Sequence, residues 1–356
     1  MLDDDPLPPP GHRAGAESFE ITQRDPRKRA TIGDMNSQHV TPGSKVVLIG
    51  AGAVGIAYAY AILNQGLTEH LAIIDLNEDL AWAQVEDLNH SIPFSGQHAK
   101  VTLGTYEDCK DAALVVNCAG VAQRDGETRL DLVARNVKIF ESINKDVMAS
   151  GFNGIYLVAT NPVDVLTYVT WKQTGLPSNQ VLGSGTVLDS ARWRHNLAQH
   201  FDIAPSDIES YIIGEHGDTE LPVISTANVS GVPLPYLLGE EEKSNPEIHK
   251  QIDEMFVRTR DAAYDIIKRK GNTSFGIGSA LARITRALFR NENVALPVSA
   301  LLEGQYGLDD LYIGTPAVLN RNGVRNVIEL QLDEDENSKF QHSAKVLREV
   351  IDSTEI

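Results

Sequence analysis

The sequence predicts an α/β protein: a doubly wound parallel sheet in the N-terminal part of the folded chain, followed by a mixed α/β region. From Lys45 onward, apolar runs of strand length alternate with segments of helix length, the pattern that βαβ units produce. A glycine-rich turn stands between the first apolar run and the first helical stretch. At 356 residues the chain also exceeds what one hydrophobic core usually supports, so two folded regions are expected.

Residues 1–44 come first and differ from the rest. Pro6, Pro8, Pro9 and Pro10, mixed charges and the lack of periodic apolar residues cannot offset the entropy of ordering, which predicts a disordered tail. Lys45 to Ile49 then reads as a buried strand, Gly50-Ala51-Gly52-Ala53-Val54-Gly55 as a tight turn and Ile56 to Asn64 as a helix. The uncharged stretch Val46–Leu63 has membrane-like length, but its three glycines divide it into two elements. Leu71–Asp75, Ala113–Cys118 and Ile155–Ala159 are further strands, with helical stretches between them. Val133, Val137, Phe140 and Val147 form a core-facing helical stripe, and Phe340, Ala344, Leu347 and Ile351 form another. Glu240, Glu241 and Glu242 read as a solvated loop.

Charge narrows the possible partners. Asp and Glu number 49 against 31 Lys and Arg, a net of −18, which argues against nucleic acid and anionic membranes as partners. The tail's seven acids and five bases leave −16 on the folded body. A small anionic substrate would therefore need a local positive trap. The two cysteines, Cys109 and Cys118, offer no disulfide framework, and Asp3, Asp4 and Asp5 stand where a signal peptide carries basic residues. A cytoplasmic protein is expected.

Gly50-x-Gly52-x-x-Gly55 is weak evidence as a pattern alone, since glycines also serve plain βα turns. Here it follows a strand and opens a helix, and Asp75 ends the next strand. Such glycines let the backbone, with Ala53 and Val54, approach a pyrophosphate at a helix N-terminus, while the acid accepts from an adenosine ribose hydroxyl. The acid would repel a 2′-phosphate, so NAD is the expected cofactor. No residue cluster suggests a metal.

Four further segments follow in order: Gln123-Arg124-Asp125-Gly126-Glu127-Thr128-Arg129-Leu130, Thr160-Asn161-Pro162-Val163-Asp164, Asp189-Ser190-Ala191-Arg192 and Gly214-Glu215-His216-Gly217-Asp218. With this order and spacing the chain resembles the lactate/malate dehydrogenase family, particularly its bacterial L-lactate branch, from about Lys45 almost to the C-terminus. The resemblance implies an NAD-binding Rossmann domain over 45–183 and a substrate domain over 184–356. It also implies reversible reduction of pyruvate to L-lactate, as in fermentation, and a homotetramer.

It assigns His216 as proton donor, which suits an unperturbed pKa of ~6.5, with Asp189 fixing its tautomer. Arg192 would clamp the substrate carboxylate through its planar fork, and Arg129, on a mobile loop, would polarise the reacting carbonyl. Read alone, both arginines fit helix-surface ion pairs. Asn161 would contact substrate and nicotinamide, although its place before Pro162 also suits a simple turn. Thr273 would line the substrate pocket, or else cap a helix.

In the family, malate enzymes usually carry an arginine where Gln123 stands. A neutral glutamine leaves oxaloacetate's second carboxylate unpaired, so pyruvate is expected, with malate or broader 2-hydroxyacid dehydrogenase activity as the alternative. Arg124 is adjacent and would serve oxaloacetate if the loop shifted by one residue. Many bacterial relatives bind fructose 1,6-bisphosphate through an arginine and a histidine. Arg194 matches the first, but Glu209 replaces the second, and its carboxylate would repel phosphate, so activation by this effector is expected to be weak or absent.

Overall fold

The computed structural model describes residues 43–121 and 129–354, with Gly43 and Arg129 described by backbone alone. Of the sequence expectations, residues 1–42 of the tail and Gln123 lie outside the described residues. The first half runs β1 (Gly43–Ile49), α1 (Ala53–Asn64), β2 (Thr68–Ile74), α2 (Glu78–Ser95), β3 (Lys100–Leu103) and β4 (Leu114–Asn117). It continues through α3 (Arg129–Ala149), β5 (Ile155–Val158), α4 (Val163–Thr174) and β6 (Val181–Gly183). The six strands pair in parallel in the order β3-β2-β1-β4-β5-β6, the doubly wound arrangement expected.

The second half contains α5 (Val187–Phe201), β7 (Ile208–Ile213), β8 (Leu221–Val229), β9 (Val232–Pro233), α6 (Leu234–Glu242) and α7 (Ile248–Lys270). It ends with α8 (Phe275–Phe289), β10 (Val294–Glu303), β11 (Asp309–Asn320), β12 (Gly323–Val327) and α9 (Glu334–Asp352). Strands β7, β8 and β9 form a separate antiparallel sheet. Strands β10, β11 and β12 instead extend the first sheet beyond β6 with antiparallel pairing, giving nine strands across the two halves.

Strand periodicity explains why this sheet is covered on both faces. In β1, Val46 and Leu48 enter the apolar cluster that includes Ile62, Leu281 and Leu288, whereas Val47 and Ile49 enter the one that includes Phe140, Val169 and Phe340. The expected stripes are buried: Phe140, Val147, Phe340 and Leu347 are fully enclosed. Helix α8 lies so close to α1 that a Cβ on Gly278 would stand 2.6 Å from the Ala57 carbonyl carbon. A third cluster, around Trp193, Ile212, Leu234 and Met255, joins α5, α6 and α7 to β7 and β8.

One local expectation is corrected. Glu240, Glu241 and Glu242 are the last turn of α6, not a loop. Leu234 and Leu238, one turn apart, are buried and dock that helix, while Glu241 meets His200 Nε2 at 3.0 Å. Cys109 and Cys118 are both free thiols, and burial pushes each up to about 12. Among the described residues, no helix is long and apolar enough to cross a membrane.

Candidate active site

The carboxyl ends of the parallel strands, where an open α/β sheet binds its ligands, carry most of the singled-out residues. After β1, Gly50 adopts φ +102°, and its N–H donates to the Ile74 carbonyl at 2.8 Å. A Cβ on Gly50 would meet the Ala119 nitrogen at 2.7 Å, and one on Gly55 would stand 2.0 Å from the Gly50 carbonyl oxygen. Only glycine permits these approaches. A Cβ on Gly52, the N-cap of α1, would meet nothing within 4 Å. Gly52 and Ala53 are exposed, Val54 is half-buried, and the first turn of α1 holds no acid. An open, uncapped helix N-terminus of this kind fits a pyrophosphate. At the end of β2, Asp75 braces the turn: its Oδ2 accepts from the Ala51 N–H at 2.7 Å and its Oδ1 from the Asn77 N–H at 2.9 Å.

Asn161 follows β5 and is exposed. Its carbonyl accepts from the amide of Asn136 at 3.1 Å, while Asn136 Oδ1 accepts from the Val121 N–H at 3.0 Å. Asn136, fully buried on α3, thus ties the end of β5 to the segment after β4. Sequence reasoning passed over it, although it is a polar residue among Val133, Val137 and Phe140 on an apolar stripe.

Asp189 lies in the first turn of α5, where the helix dipole favours an anion, and is 2% exposed. Its Oδ2 meets His216 Nδ1 at 2.7 Å and its Oδ1 accepts from Arg192 Nη1 at 3.0 Å. The helix supplies the second contact through i,i+3 spacing. The first depends on β7, which α5 holds by Ser190: its Oγ accepts from the Ile212 N–H at 2.8 Å, four residues before His216. Because Asp189 occupies Nδ1, Nε2 is the imidazole nitrogen available for proton transfer.

The electrostatics follow from burial. Desolvation opposes the imidazolium, but the charge and hydrogen bond of Asp189 outweigh it, and the His216 pKa rises to about 9. Desolvation would likewise raise Asp189, but the imidazolium and the guanidinium hold it below the ordinary carboxylate range.

Two acids missing from the sequence-level site sit beside this pair. Asp164, on α4, accepts from the His216 backbone N–H at 2.8 Å and from Ser299 Oγ at 2.6 Å. Its signal was present: α4 is buried without a break from Val163 to Thr170, so an acid within it must have partners. Glu220, 6% exposed, places a carboxylate oxygen in a group with Asp189 and His216 whose ligating atoms all lie within 4.8 Å of one another. Nothing in the sequence separates Glu220 from other acids.

The remaining candidates stand apart. Arg129 opens α3, and its side chain, like the whole of Gln123, lies outside the described residues. Thr273 is half-buried in the link between α7 and α8, where Ser274 is the cap of α8. Among the described residues, no hydrogen bond joins Thr273 to His216. Arg194 Nε donates to the Ser190 carbonyl at 3.3 Å with its guanidinium over the Tyr211 ring, and Glu209 accepts from Asn228 Nδ2 at 3.0 Å.

A doubly wound sheet with an open glycine turn, together with a His–Asp pair that shares its carboxylate with an arginine, defines an NAD-dependent oxidoreductase. Residues 44–183 match the family "lactate/malate dehydrogenase, NAD binding domain", and residues 186–355 match "lactate/malate dehydrogenase, alpha/beta C-terminal domain". The chain belongs to the lactate/malate dehydrogenase family. It is 60% identical over 311 residues to an L-lactate dehydrogenase of Corynebacterium jeikeium, covering 87% of this chain and 94% of that protein. With an L-lactate dehydrogenase of Corynebacterium glutamicum it is 58% identical over 310 residues, covering 87% and 98%. Among solved structures it is similar to a lactate dehydrogenase from a Medee basin deep-sea metagenome, with TM-score 0.84, 47% identity and coverage of 88% and 99%. The minor L-lactate dehydrogenase of Enterococcus mundtii also gives TM-score 0.84, at 41% identity and coverage of 89% and 100%.

Replacing Asp164 with Ala leaves the His216 N–H and the Ser299 hydroxyl without their acceptor. Urea denaturation is expected to show a loss of about 1.5–3 kcal/mol, the scale of a buried hydrogen bond to a charged group.

Proposed function

We propose that this NAD-dependent oxidoreductase interconverts pyruvate and L-lactate, working in the cytoplasm as a homotetramer in the fermentation of pyruvate. The observation that carries the reading is the sharing of Asp189 between a proton-transfer histidine and a fork-shaped cation. Residues 45–183 serve as the cofactor-binding domain and 184–356 as the substrate domain. Gly50, Gly52, Ala53, Val54 and Gly55 hold the pyrophosphate of NAD, Asp75 the adenosine ribose, and Asn161 the nicotinamide side. Bound NADH supplies the hydride.

Arg192 binds the carboxylate of pyruvate through two parallel charge-assisted bonds. Arg129 polarises the 2-oxo group as negative charge develops on its oxygen. His216 delivers the Nε2 proton to that oxygen, while Asp189 stabilises the imidazolium beforehand and Asp164 fixes the backbone that carries the ring. Lactate oxidation returns the proton to Nε2. Thr273 lines the end of the pocket that receives the methyl group, and the neutral side chain of Gln123 sets the preference for pyruvate.

Pyruvate is expected to exceed oxaloacetate in kcat/KM, and Gln123→Arg to move that preference toward oxaloacetate. Faster turnover of oxaloacetate by the unaltered enzyme would overturn the substrate assignment. The names of the two Corynebacterium relatives support pyruvate.

The raised pKa of His216 sets the pH dependence. Proton delivery in pyruvate reduction requires the imidazolium, so kcat at saturating pyruvate should hold up to about pH 9 and fall above it, whereas lactate oxidation rises through the same range. A pyruvate limb that already falls near the ordinary histidine value would contradict this pairing.

Fructose 1,6-bisphosphate should activate the enzyme weakly or not at all, because Glu209 places a carboxylate near Arg194. Conversion of a sigmoidal curve into a hyperbolic one by the effector would show the opposite.

A further inference from the structure

Glu220 precedes β8 and is the one member of the His216 group with no evident counterpart in the reaction just described. Its Oε1 is buried without a hydrogen-bond partner among the described residues. Three cations face it, and each is bonded to another acid: His216 through Nδ1 and Arg192 through Nη1 to Asp189, and Arg260 on α7 to Asp261 at 2.9 Å. The facing acids are Asp189 on α5 and, around Arg260 and His216, Asp218 and Asp164. A buried carboxylate with no donor on Oε1, beside a second carboxylate that already holds the nearest cations, is costly to keep charged, so such a group keeps its proton. Burial, followed by the negative charge of Asp189, indeed drives the Glu220 pKa well above the ordinary carboxylate range.

The consequence lies in the charge of the pocket. With Glu220 neutral, the three cations assigned to the site, Arg129, Arg192 and the imidazolium of His216, exceed its two charged carboxylates, Asp189 and Asp164, by one, and that charge matches one substrate carboxylate. With Glu220 ionised, that charge is cancelled. We infer that Glu220 is a positioning residue held as a neutral carboxylic acid, whose proton makes the pocket selective for singly charged 2-oxo acids and couples their binding to proton uptake. The inference rests on the proposed reaction for the identity of the anion, but not for the protonation of Glu220.

The coupling is reciprocal. An anion that binds the neutral form better must raise the affinity of Glu220 for its proton. As pH rises and Glu220 releases that proton to solvent, anion affinity falls, approaching about tenfold per pH unit for a single linked proton. His216 adds its own loss of affinity as it deprotonates, so the contribution of Glu220 is read by difference.

Two measurements on the full chain test this. Thermal unfolding from pH 5 to 9 compares the unaltered protein with Glu220→Gln. An acid with a raised folded pKa keeps its proton in the folded state while the unfolded chain releases it, so it destabilises the fold progressively above the ordinary carboxylate range. Glu220→Gln lacks this penalty, and its Tm relative to the unaltered protein should climb with pH. A difference that is constant, or that falls with pH as for an ionised and paired carboxylate, overturns the inference.

The second measurement titrates oxamate, the amide isostere of pyruvate, into the NADH complex in buffers of different ionisation enthalpy, which counts the protons taken up. Between pH 7 and 9 the unaltered enzyme should take up more protons per oxamate than Glu220→Gln and lose affinity more steeply. Equal uptake overturns the coupling. The protonated-carboxyl C=O stretch in the infrared spectrum of the unaltered protein at pH 7 serves if the variant fails to fold, and its absence likewise overturns the inference. If oxamate does not bind and pyruvate is not reduced, the proposed reaction fails, whereas the unfolding series still reports the protonation of Glu220.

Discussion

One buried carboxylate, that of Asp189, holds two cations at once, the imidazole of His216 at 2.7 Å and the guanidinium of Arg192 at 3.0 Å. Neither oxygen is left over, and each contact defines the other's geometry. Taking such charges out of water carries a desolvation cost of several kcal/mol per ion, about the scale that good geometry and additional hydrogen bonds must offset. The first turn of α5 helps, since its peptide dipoles favour an anion there. Asp189, Arg192 and His216 therefore stand together because α5 presents Asp189 and Arg192 on one face and because β7 returns the chain to that face. Thr186 and Ser190 enforce the return, both donating to the Ile212 carbonyl, at 2.6 and 3.2 Å.

The second anchor of His216 comes from the opposite direction. Asp164 reaches it from the helix after β5, and Ser299, which holds the other oxygen of Asp164, belongs to β10. Strand β10 joins the sheet beside β6, with Ser299 opposite Gly183. Continuity of the nine-stranded sheet thus places a residue of the last third of the chain behind the imidazole. The glycine turn after β1 uses the same sheet, since Gly50 is bonded to the end of β2. The glycine turn and His216 are both anchored to one sheet.

How much of this could be read beforehand depends on whether the signal is local. The parallel order, the glycine turn, Asp75 and the stripes on α3 and α9 follow from periodicity and short-range spacing, and the sequence carries them in full. The pairing of Asp189 with His216 follows from resemblance, because residues 27 apart reveal no contact by spacing. The extension of the sheet by β10, β11 and β12 is non-local and had no signature. Glu240 to Glu242 misled because acidity suggests a loop, whereas Leu234 and Leu238 upstream decide that the segment docks as a helix. Asp164 and Asn136 were legible only as polar residues on otherwise apolar faces. Glu220 was not legible at all, because what distinguishes it is burial imposed by elements far away in the chain.

The overall charge of −18 and an anionic substrate look incompatible until their ranges are compared. At physiological ionic strength the field of exposed carboxylates is screened over about 8 Å, whereas charges inside a dry pocket interact with little screening. Selectivity for an anion is therefore decided by the few charges that burial protects, not by the surface total. Among the described residues those are Asp189, Asp164, His216, Arg192 and Glu220, and their sum turns on whether Glu220 carries a proton. The chain can accumulate surface acid without repelling its substrate, provided that the one additional acid in the pocket stays neutral.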